Sequence, residues 1–305
     1  MAASGYVGAW VLGKRPRGVF VQQPSAKAIA ISRAAGWVLV TGASAGIGRE
    51  LARAFASRGF DLVLAARNEA ALAALARELA ATHAVRAKIM PVDLSLPAAA
   101  EAIAEALGDA RVDVGVLVNN AGILFEGEFA RAALDDCLRL LQINVVALTS
   151  LTRLFLPPML KRGAGRILNV ASTASFVPVP QLSVYAAAKA YVLSLTESIA
   201  EELRGTGVAA TALCPGFTDT AMIRGSALAK PIPPAMIMSP KAVAELGCAA
   251  CVEGEAICVP GLANKLLASG APMMPRSLVR AFGGAMNGGG LRGLGRFLGC
   301  GGDKR

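Results

Sequence analysis

The stretch that most constrains the fold of this chain is Trp37-Val-Leu-Val-Thr41, which runs without a break into Gly42-Ala-Ser-Ala-Gly46-Ile-Gly48. A short apolar run rich in β-branched residues reads as a buried strand, and the apolar spacing from Gly48 to Arg58 reads as a helix. Glycines at 42, 46 and 48 allow the backbone to turn tightly between the two and leave the first amides of the helix facing outward. A glycine-rich turn after a strand and before a helix suits a pyrophosphate, which the helix N-terminus attracts. The alternative is a tight turn with no ligand.

The same alternation continues along the chain. Apolar runs at 61–66, 86–92, 114–118, 165–170, 208–213 and 256–259 read as further strands. Helical spacing is read at 68–82, 97–107, 132–156, from Tyr185 to Leu203, and at 241–252, with Pro157-Pro158 expected to close the long helix at 132–156. Strands that read as continuous apolar runs between helices imply a parallel sheet covered on both faces. The expected class is α/β, a doubly wound Rossmann fold of about seven strands, with ligands at the carboxyl ends of the strands. Residues 36–261 form this domain in our reading. Residues 1–35 are an N-terminal extension expected to be poorly ordered, and 262–305 are a helical and Gly-rich tail whose last part, 281–305, is expected to lack order.

Composition agrees with a large core: 54% of residues are hydrophobic and 17% charged. The formal charge of +10 sits mostly at the ends. Before Glu50 there are Lys14, Arg15, Arg17, Lys27, Arg33 and Arg49 and no acid; after Glu255, Asp303 stands alone against Lys265, Arg276, Arg280, Arg292, Arg296, Lys304 and Arg305. This distribution speaks against a basic groove for nucleic acid. Cys248 and Cys251 make a CxxC inside a helical run, but no second pair has zinc spacing and His83 is the one histidine. The six cysteines are read as thiols, with no metal and a reducing, cytoplasmic setting. No stretch reaches about 18 consecutive apolar residues. The charges of the N-terminus follow its apolar stretch, unlike a secretory signal. An unstructured tail, a transit peptide or an early start codon would each account for 1–35.

Tyr185-Ala-Ala-Ala-Lys189 carries the chemistry. A tyrosine and a lysine four apart share a helix face, and a fixed ammonium favours the phenolate, so it is expected to lower the phenol's pKa. A tyrosine so tuned exchanges a proton with an alcohol or carbonyl oxygen. The second strand ends in Ala66-Arg67, with no carboxylate for a ribose 2′-hydroxyl and a guanidinium suited to a 2′-phosphate; NADP(H) is favoured over NAD(H), the alternative being a solvated surface arginine.

Taken in order, the TGxxxGxG turn at 41–48, Asp93-Leu94, Asn119-Asn-Ala-Gly122, Asn144, Ser172, YxxxK at 185–189, and Pro215-Gly216 followed by Thr218 resemble the short-chain dehydrogenase/reductase family over about 36–261. The resemblance implies a catalytic set of Asn144, Ser172, Tyr185 and Lys189: tyrosine as proton donor, serine on the substrate oxygen, lysine on the tyrosine and the nicotinamide ribose, asparagine on a water leading to the lysine. It implies cofactor contacts at Gly42, Ser44, Gly46, Ile47, Gly48, Arg67, Asp93, Leu94, Asn120, Ala121, Gly122, Tyr185, Lys189, Pro215, Gly216 and Thr218. Ala45 stands where many NADP-using relatives carry a second basic residue, so the NADP(H) reading rests on Arg67.

After Thr218 come Met222, Ile223, Leu228, Ile232, Met236, Ile237 and Met238, with prolines at 231, 233 and 234. Flexible thioethers suit an adaptable apolar pocket for a 3-oxoacyl chain, a steroid or an aromatic ketone; a loop burying apolar surface on the core is the other reading. The expected activity is hydride transfer between nicotinamide and a carbonyl or secondary alcohol. The alternatives are a non-catalytic NADP-binding regulatory module, which would need the glycines and Arg67 but not the catalytic set, and a peripheral membrane reductase. For the mixed apolar and basic stretch 262–280, a subunit contact or a solvated cap is preferred to an interfacial helix on anionic lipid. A homodimer or homotetramer, packed through the helices at 132–156 and 183–203, is the assembly the resemblance implies.

Overall fold

The computed structural model of the chain describes residues 36–224 and 236–284. The extension at 1–35, Leu228, Ile232, the prolines at 231, 233 and 234, and the glycine-rich 285–305 lie outside the described residues.

Seven strands form one parallel sheet in the order β3-β2-β1-β4-β5-β6-β7. They are β1 (Trp37–Thr41), β2 (Leu62–Ala66), β3 (Ala87–Pro91), β4 (Val114–Asn119), β5 (Gly165–Val170), β6 (Val208–Leu213) and β7 (Ile257–Cys258). Between them run α1 (Gly46–Ala56), α2 (Glu69–His83), α3 (Ala99–Asp109), α4 (Leu134–Leu141), α5 (Leu148–Arg162), α6 (Ser183–Glu202), α7 (Ala221–Arg224) and α8 (Pro240–Glu253). Successive strand residues point to opposite faces. Val38 and Val40, with Leu62, Leu64, Val116 and Val118, therefore meet Leu51 and Phe55 of α1, Leu72, Leu75 and Leu79 of α2, and Val243 and Cys248 of α8. Leu39, Val63, Leu117 and Ile167 face the other way, onto Ile103 and Leu107 of α3 and Leu151, Phe155 and Met159 of α5. Both faces of the sheet are thus spent on packing, at about 1.5–3 kcal/mol per fully buried large side chain, and the carboxyl ends of the strands are left for ligands.

Two local readings need correction. Pro157 and Pro158 do not close the long helix: α5 continues through them to Arg162 and ends at Gly163, whose φ of 63° is the left-handed cap. A proline inside a helix removes a backbone donor and crowds the carbonyl four residues back. Here Phe155 and Met159 are buried on either side of the pair, and that packing outweighs the local preference. The helix is also not uniformly α: Gln142–Ala147 is a π-helical segment joining α4 to α5. The Leu134–Arg162 rod has 29 residues and contains an 18-residue window with a mean hydropathy of 1.4, so by length and composition it could cross a bilayer. Its buried side chains are instead used against β4 and β5. Leu134, Leu138, Val146, Leu154 and, on α6, Tyr191 are exposed on the surface where subunit packing is expected.

The tail is less separate from the domain than the sequence reading has it. Helix α9 (Leu262–Gly270), a single 3-10 turn and α10 (Arg276–Gly284) follow β7, so regular structure reaches past residue 281. Ala271 and Val279 bury Val177, which follows β5, with Leu267 packed beside them. The described cysteines are free; Cys248 and Cys251 are buried in the core, and no metal-binding group occurs among the described residues.

One buried charge anchors the far end of the sheet. Arg166, near the start of β5, is 4% exposed. Its Nη1 donates to the carbonyls of Gly165 (2.8 Å) and Gly207 (3.1 Å) and its Nε to Val252 at 3.3 Å. Val252 lies in the last turn of α8, so a cation meets the negative end of that helix. Burial lowers the guanidinium pKa from its ordinary value. Arg166→Leu should lower unfolding stability by about 2–4 kcal/mol, because it strands buried carbonyls without removing them; a urea titration with an unchanged midpoint would show that the contact contributes nothing.

Candidate active site

The strand order reverses between β1 and β4, and there the two strand ends are tied together. Thr41 Oγ1 donates to Val118 O at 3.2 Å and accepts from the amides of Asn120 (3.0 Å) and Ala121 (3.1 Å). Asn120 Nδ2 donates in return to Thr41 O at 2.9 Å and Gly42 O at 3.3 Å. The glycines of the turn serve two purposes. Gly42 and Gly46 have φ of 66° and 54°, the left-handed region. A Cβ on Gly48 would stand 2.3 Å from both Gly42 O and Asn120 Nδ2, so this glycine lets α1 pack onto the turn. The N-cap of α1 is Ala45, which has no side chain to satisfy the first amides, and its first turn holds no acid. These features fit an anion such as a pyrophosphate.

A cleft of about 1120 Å³ opens over the carboxyl ends of the strands. Gly42, Ser44, Gly46, Ile47, Arg67, Asp93, Leu94, Asn120, Ala121, Gly122, Ser172, Tyr185, Lys189, Pro215, Gly216 and Thr218 all line it. Gly48 and Asn144 stand behind its wall. Arg67 is exposed just past β2. Asp93 Oδ1 accepts from Ser95 N at 2.9 Å; this bond holds the carboxyl below its ordinary pKa, with smaller help from Arg67 and Arg139. At the opposite strand end, Thr218 Oγ1 donates to Gly216 O at 3.0 Å and is buried.

Tyr185 lies in the first turn of α6 and Lys189 one turn later, with Nζ 5.7 Å from the phenol ring centroid. Lys189 is buried and donates to Val170 O, the last residue of β5, at 2.7 Å. Ser172, two residues further along the chain, accepts from Ala174 N at 3.1 Å. Burial pushes the Lys189 ammonium down to about 8. The sequence reading expects that ammonium to pull the phenol's pKa down. In the structure burial dominates and raises the Tyr185 pKa, offset in part by a hydrogen bond with Ser172. The phenol is therefore a protonated group at neutral pH, poised to give a proton.

Asn144 is buried within the π-helical segment. Its Oδ1 accepts from Ile123 N at 2.9 Å and its Nδ2 donates to Ile123 O at 3.1 Å. The residue clamps the backbone after β4. A Cβ on Gly122 would lie 3.3 Å from Asn144 Oδ1 and 3.6 Å from Lys189 Nζ, so the three residues meet at one point of the wall. A π turn inside an α-helix shifts the side chains that follow it, and such turns gather at functional sites.

Sequence reasoning missed part of the lining. Ile123, Leu124, Val177, Val179, Leu182 and Leu267 complete the apolar side with Met222, Ile223 and Met236. None belongs to a motif, and Leu267 comes from the tail. Also missed is a buried amide pair beneath the site. Asn119 Nδ2 donates to Asn169 Oδ1 at 2.9 Å and to Thr152 Oγ1 at 3.0 Å, and Asn169 Nδ2 donates to Thr196 Oγ1 at 3.0 Å. The visible signal was an asparagine in each of two adjacent apolar strands, paired in register as Asn119↔Asn169.

Comparison with known proteins agrees with this geometry. Residues 36–230 match the family described as short chain dehydrogenase. The ketoacyl reductase HetN of Nostoc is 37% identical over 208 residues, covering 68% of this chain and 72% of HetN. A human protein named inactive hydroxysteroid dehydrogenase-like protein 1 is 31% identical over 241 residues, 73% of this chain and 71% of its own. A short-chain dehydrogenase from Sphingobium yanoikuyae in complex with NADPH superposes with a TM-score of 0.69 at 33% identity, over 78% of this chain and 94% of that one. A relative from Burkholderia phymatum in complex with NAD gives 0.67 at 30%, over 77% and 91%. With its glycine turn at the reversal of the strand order and Tyr185, Lys189 and Ser172 on one wall of the cleft, this chain belongs to the short-chain dehydrogenase/reductase family of oxidoreductases.

Proposed function

We propose that the chain is an NADP(H)-dependent reductase or alcohol dehydrogenase acting on an apolar carbonyl compound or its secondary alcohol, of the 3-oxoacyl, steroid or aromatic-ketone kind. The observation that carries this reading is the convergence of Ser172, Tyr185 and Lys189 on a cleft that also holds the glycine turn and Arg67. When bound, the dinucleotide supplies or accepts the hydride. Tyr185 gives its proton to the carbonyl oxygen, and the adjacent Ser172 hydroxyl orients that oxygen and donates to it as its charge grows. The ammonium of Lys189 stabilises the phenolate left behind, and the positive end of α6 helps because Tyr185 is in its first turn. One Lys189 donor is held by Val170 O; the others are left for the nicotinamide ribose. Asn144, through Ile123, fixes the wall beside Lys189.

Arg67 supports the cofactor preference: β2 ends in Ala66, so a guanidinium is what the strand end offers to a 2′-phosphate. The apolar substrate class is supported by Val177, Val179, Leu182, Met222, Met236 and Leu267, a wall without a charged side chain. It is supported also by the name of HetN. The name of the human relative favours a second reading, a dinucleotide-binding module without turnover. The intact set of Ser172, Tyr185, Lys189 and Asn144 weighs against it.

A screen of NADPH oxidation across acyl, steroid and aromatic carbonyls tests the reading; NADPH binding with no turnover on any of them would favour the module. Tyr185→Phe should lower kcat by about 10²–10⁴-fold while NADPH affinity is kept; near-normal turnover would remove the proton-donor role. Arg67→Glu should cost roughly ten- to a hundredfold in NADPH affinity and far less for NADH, and an unchanged preference in fluorescence titrations would end the NADP(H) assignment. In the cofactor-free protein Lys189 should be a cation below pH 8 and neutral above it, since burial depresses its pKa to about 8. NMR of ¹³C-labelled lysine should show one resonance titrating near pH 8 that Lys189→Met removes; every lysine titrating near its ordinary value would contradict the burial argument.

A further inference from the structure

Leu262 and Leu266 stand one helical turn apart on the outer side of α9 and are 74% and 67% exposed. Met273 (87%), Met274 (38%) and Leu278 (47%) continue the apolar surface over the next turn and α10. The inner sides of the same elements are already occupied. Asn264 Nδ2 donates to Pro260 O at 2.7 Å, Leu267 lines the cleft, and Ala271 and Val279 are buried on Val177. Met274 lines a pocket with Phe176 and Leu193 and helps to seat the tail, whereas Leu262, Leu266 and Met273 are mostly in solvent, and exposure of several large apolar side chains in one short stretch asks for a partner.

The charges beside them decide which partner. Lys265, Arg276 and Arg280 are exposed on these elements, and no Asp or Glu occurs between Glu255 and Asp303. Glu197 of α6 lines a pocket with Met274 and Arg276, so cations outnumber acids at this edge without standing alone. Apolar side chains with such a cationic edge fit a surface that is anionic at its boundary and apolar a few ångströms below it. A second copy of the chain meeting this face with the same face would bring like charges together.

The location adds a consequence. Leu267 shares α9 with Leu262 and Leu266 and lines the same cleft as Met222 and Met236, which are themselves 41% and 50% exposed. The outer face of α9 thus lies one helix width from the apolar wall of the cleft.

We propose that the outer face of α9 and α10 docks on an anionic lipid surface and holds the apolar side of the cleft next to it. The docking does not depend on any turnover by the chain, so it is tested by binding alone. The full-length chain is sedimented with vesicles of phosphatidylcholine and with vesicles of an equal mixture of phosphatidylcholine and phosphatidylglycerol. It should pellet with the mixed vesicles at low salt and stay in solution with phosphatidylcholine. Leu262→Glu combined with Leu266→Glu should lower the partition coefficient about tenfold or more, with thermal unfolding and sedimentation-velocity mass unchanged. Arg276→Glu with Arg280→Glu should act in the same direction. Equal pelleting with both vesicles would overturn the proposal. So would full binding by the leucine variant, which would place the attraction in the basic segments 1–35 and 285–305. A fall in molecular mass in the leucine variant would overturn it too, making the face a subunit contact.

Discussion

The structure depends on the hydrogen-bonded seam between Thr41 and Asn120. In a doubly wound sheet the crossovers diverge where the strand order reverses, and the gap that opens there is the ligand site. An open gap between two strand ends needs something to set its width. The side chains of Thr41 and Asn120 do so by bonding each other's backbone, with the carbonyl of Gly42 included. The glycine turn is built onto this seam: a side chain at Gly42 or Gly48 would collide with Asn120 or its neighbour. The start of α1, and with it the direction of its free amides, is therefore referenced to β4 as much as to β1.

The opposite wall is referenced to β5. Lys189 is bonded to the carbonyl of Val170, Ser172 follows two residues on, and the buried Asn119–Asn169 pair locks β4 to β5 beneath both. The two halves of the site, the glycine turn and the wall that carries Tyr185 and Lys189, are thus fixed through a single shared strand. Precision of this kind matters because misplacing reacting groups by an ångström costs rate steeply.

The alternation of apolar runs and helical spacing made the sheet and its helices legible in the sequence, and the ordered motifs made most of the cleft legible. What escaped was decided by tertiary contacts. Nothing local marks residues 142–147 as π-helical; the clamp of Asn144 on Ile123 appears only when the strand end is in place. Pro157 and Pro158 read locally as a stop, and buried neighbours on both sides carried the helix past them. The sign of the Tyr185 shift was misjudged for a related reason. A neighbouring charge can be read from spacing, whereas burial is a property of the finished fold. Leu267 joined the cleft from a segment that looked like an appendage.

The apolar wall has a different origin from the rest of the site. Val177 and Val179 come from the loop after β5, Leu182 from the residue before α6, Met222 from α7, Met236 from the stretch before α8 and Leu267 from α9. No strand contributes to this group. Val177 and Leu267 also pack the tail onto the domain, whereas Met222 and Met236 are 41% and 50% exposed and lie outside the buried core. Changes at the two exposed methionines therefore cost folding little, so this part of the cleft can vary apart from the core that supports it.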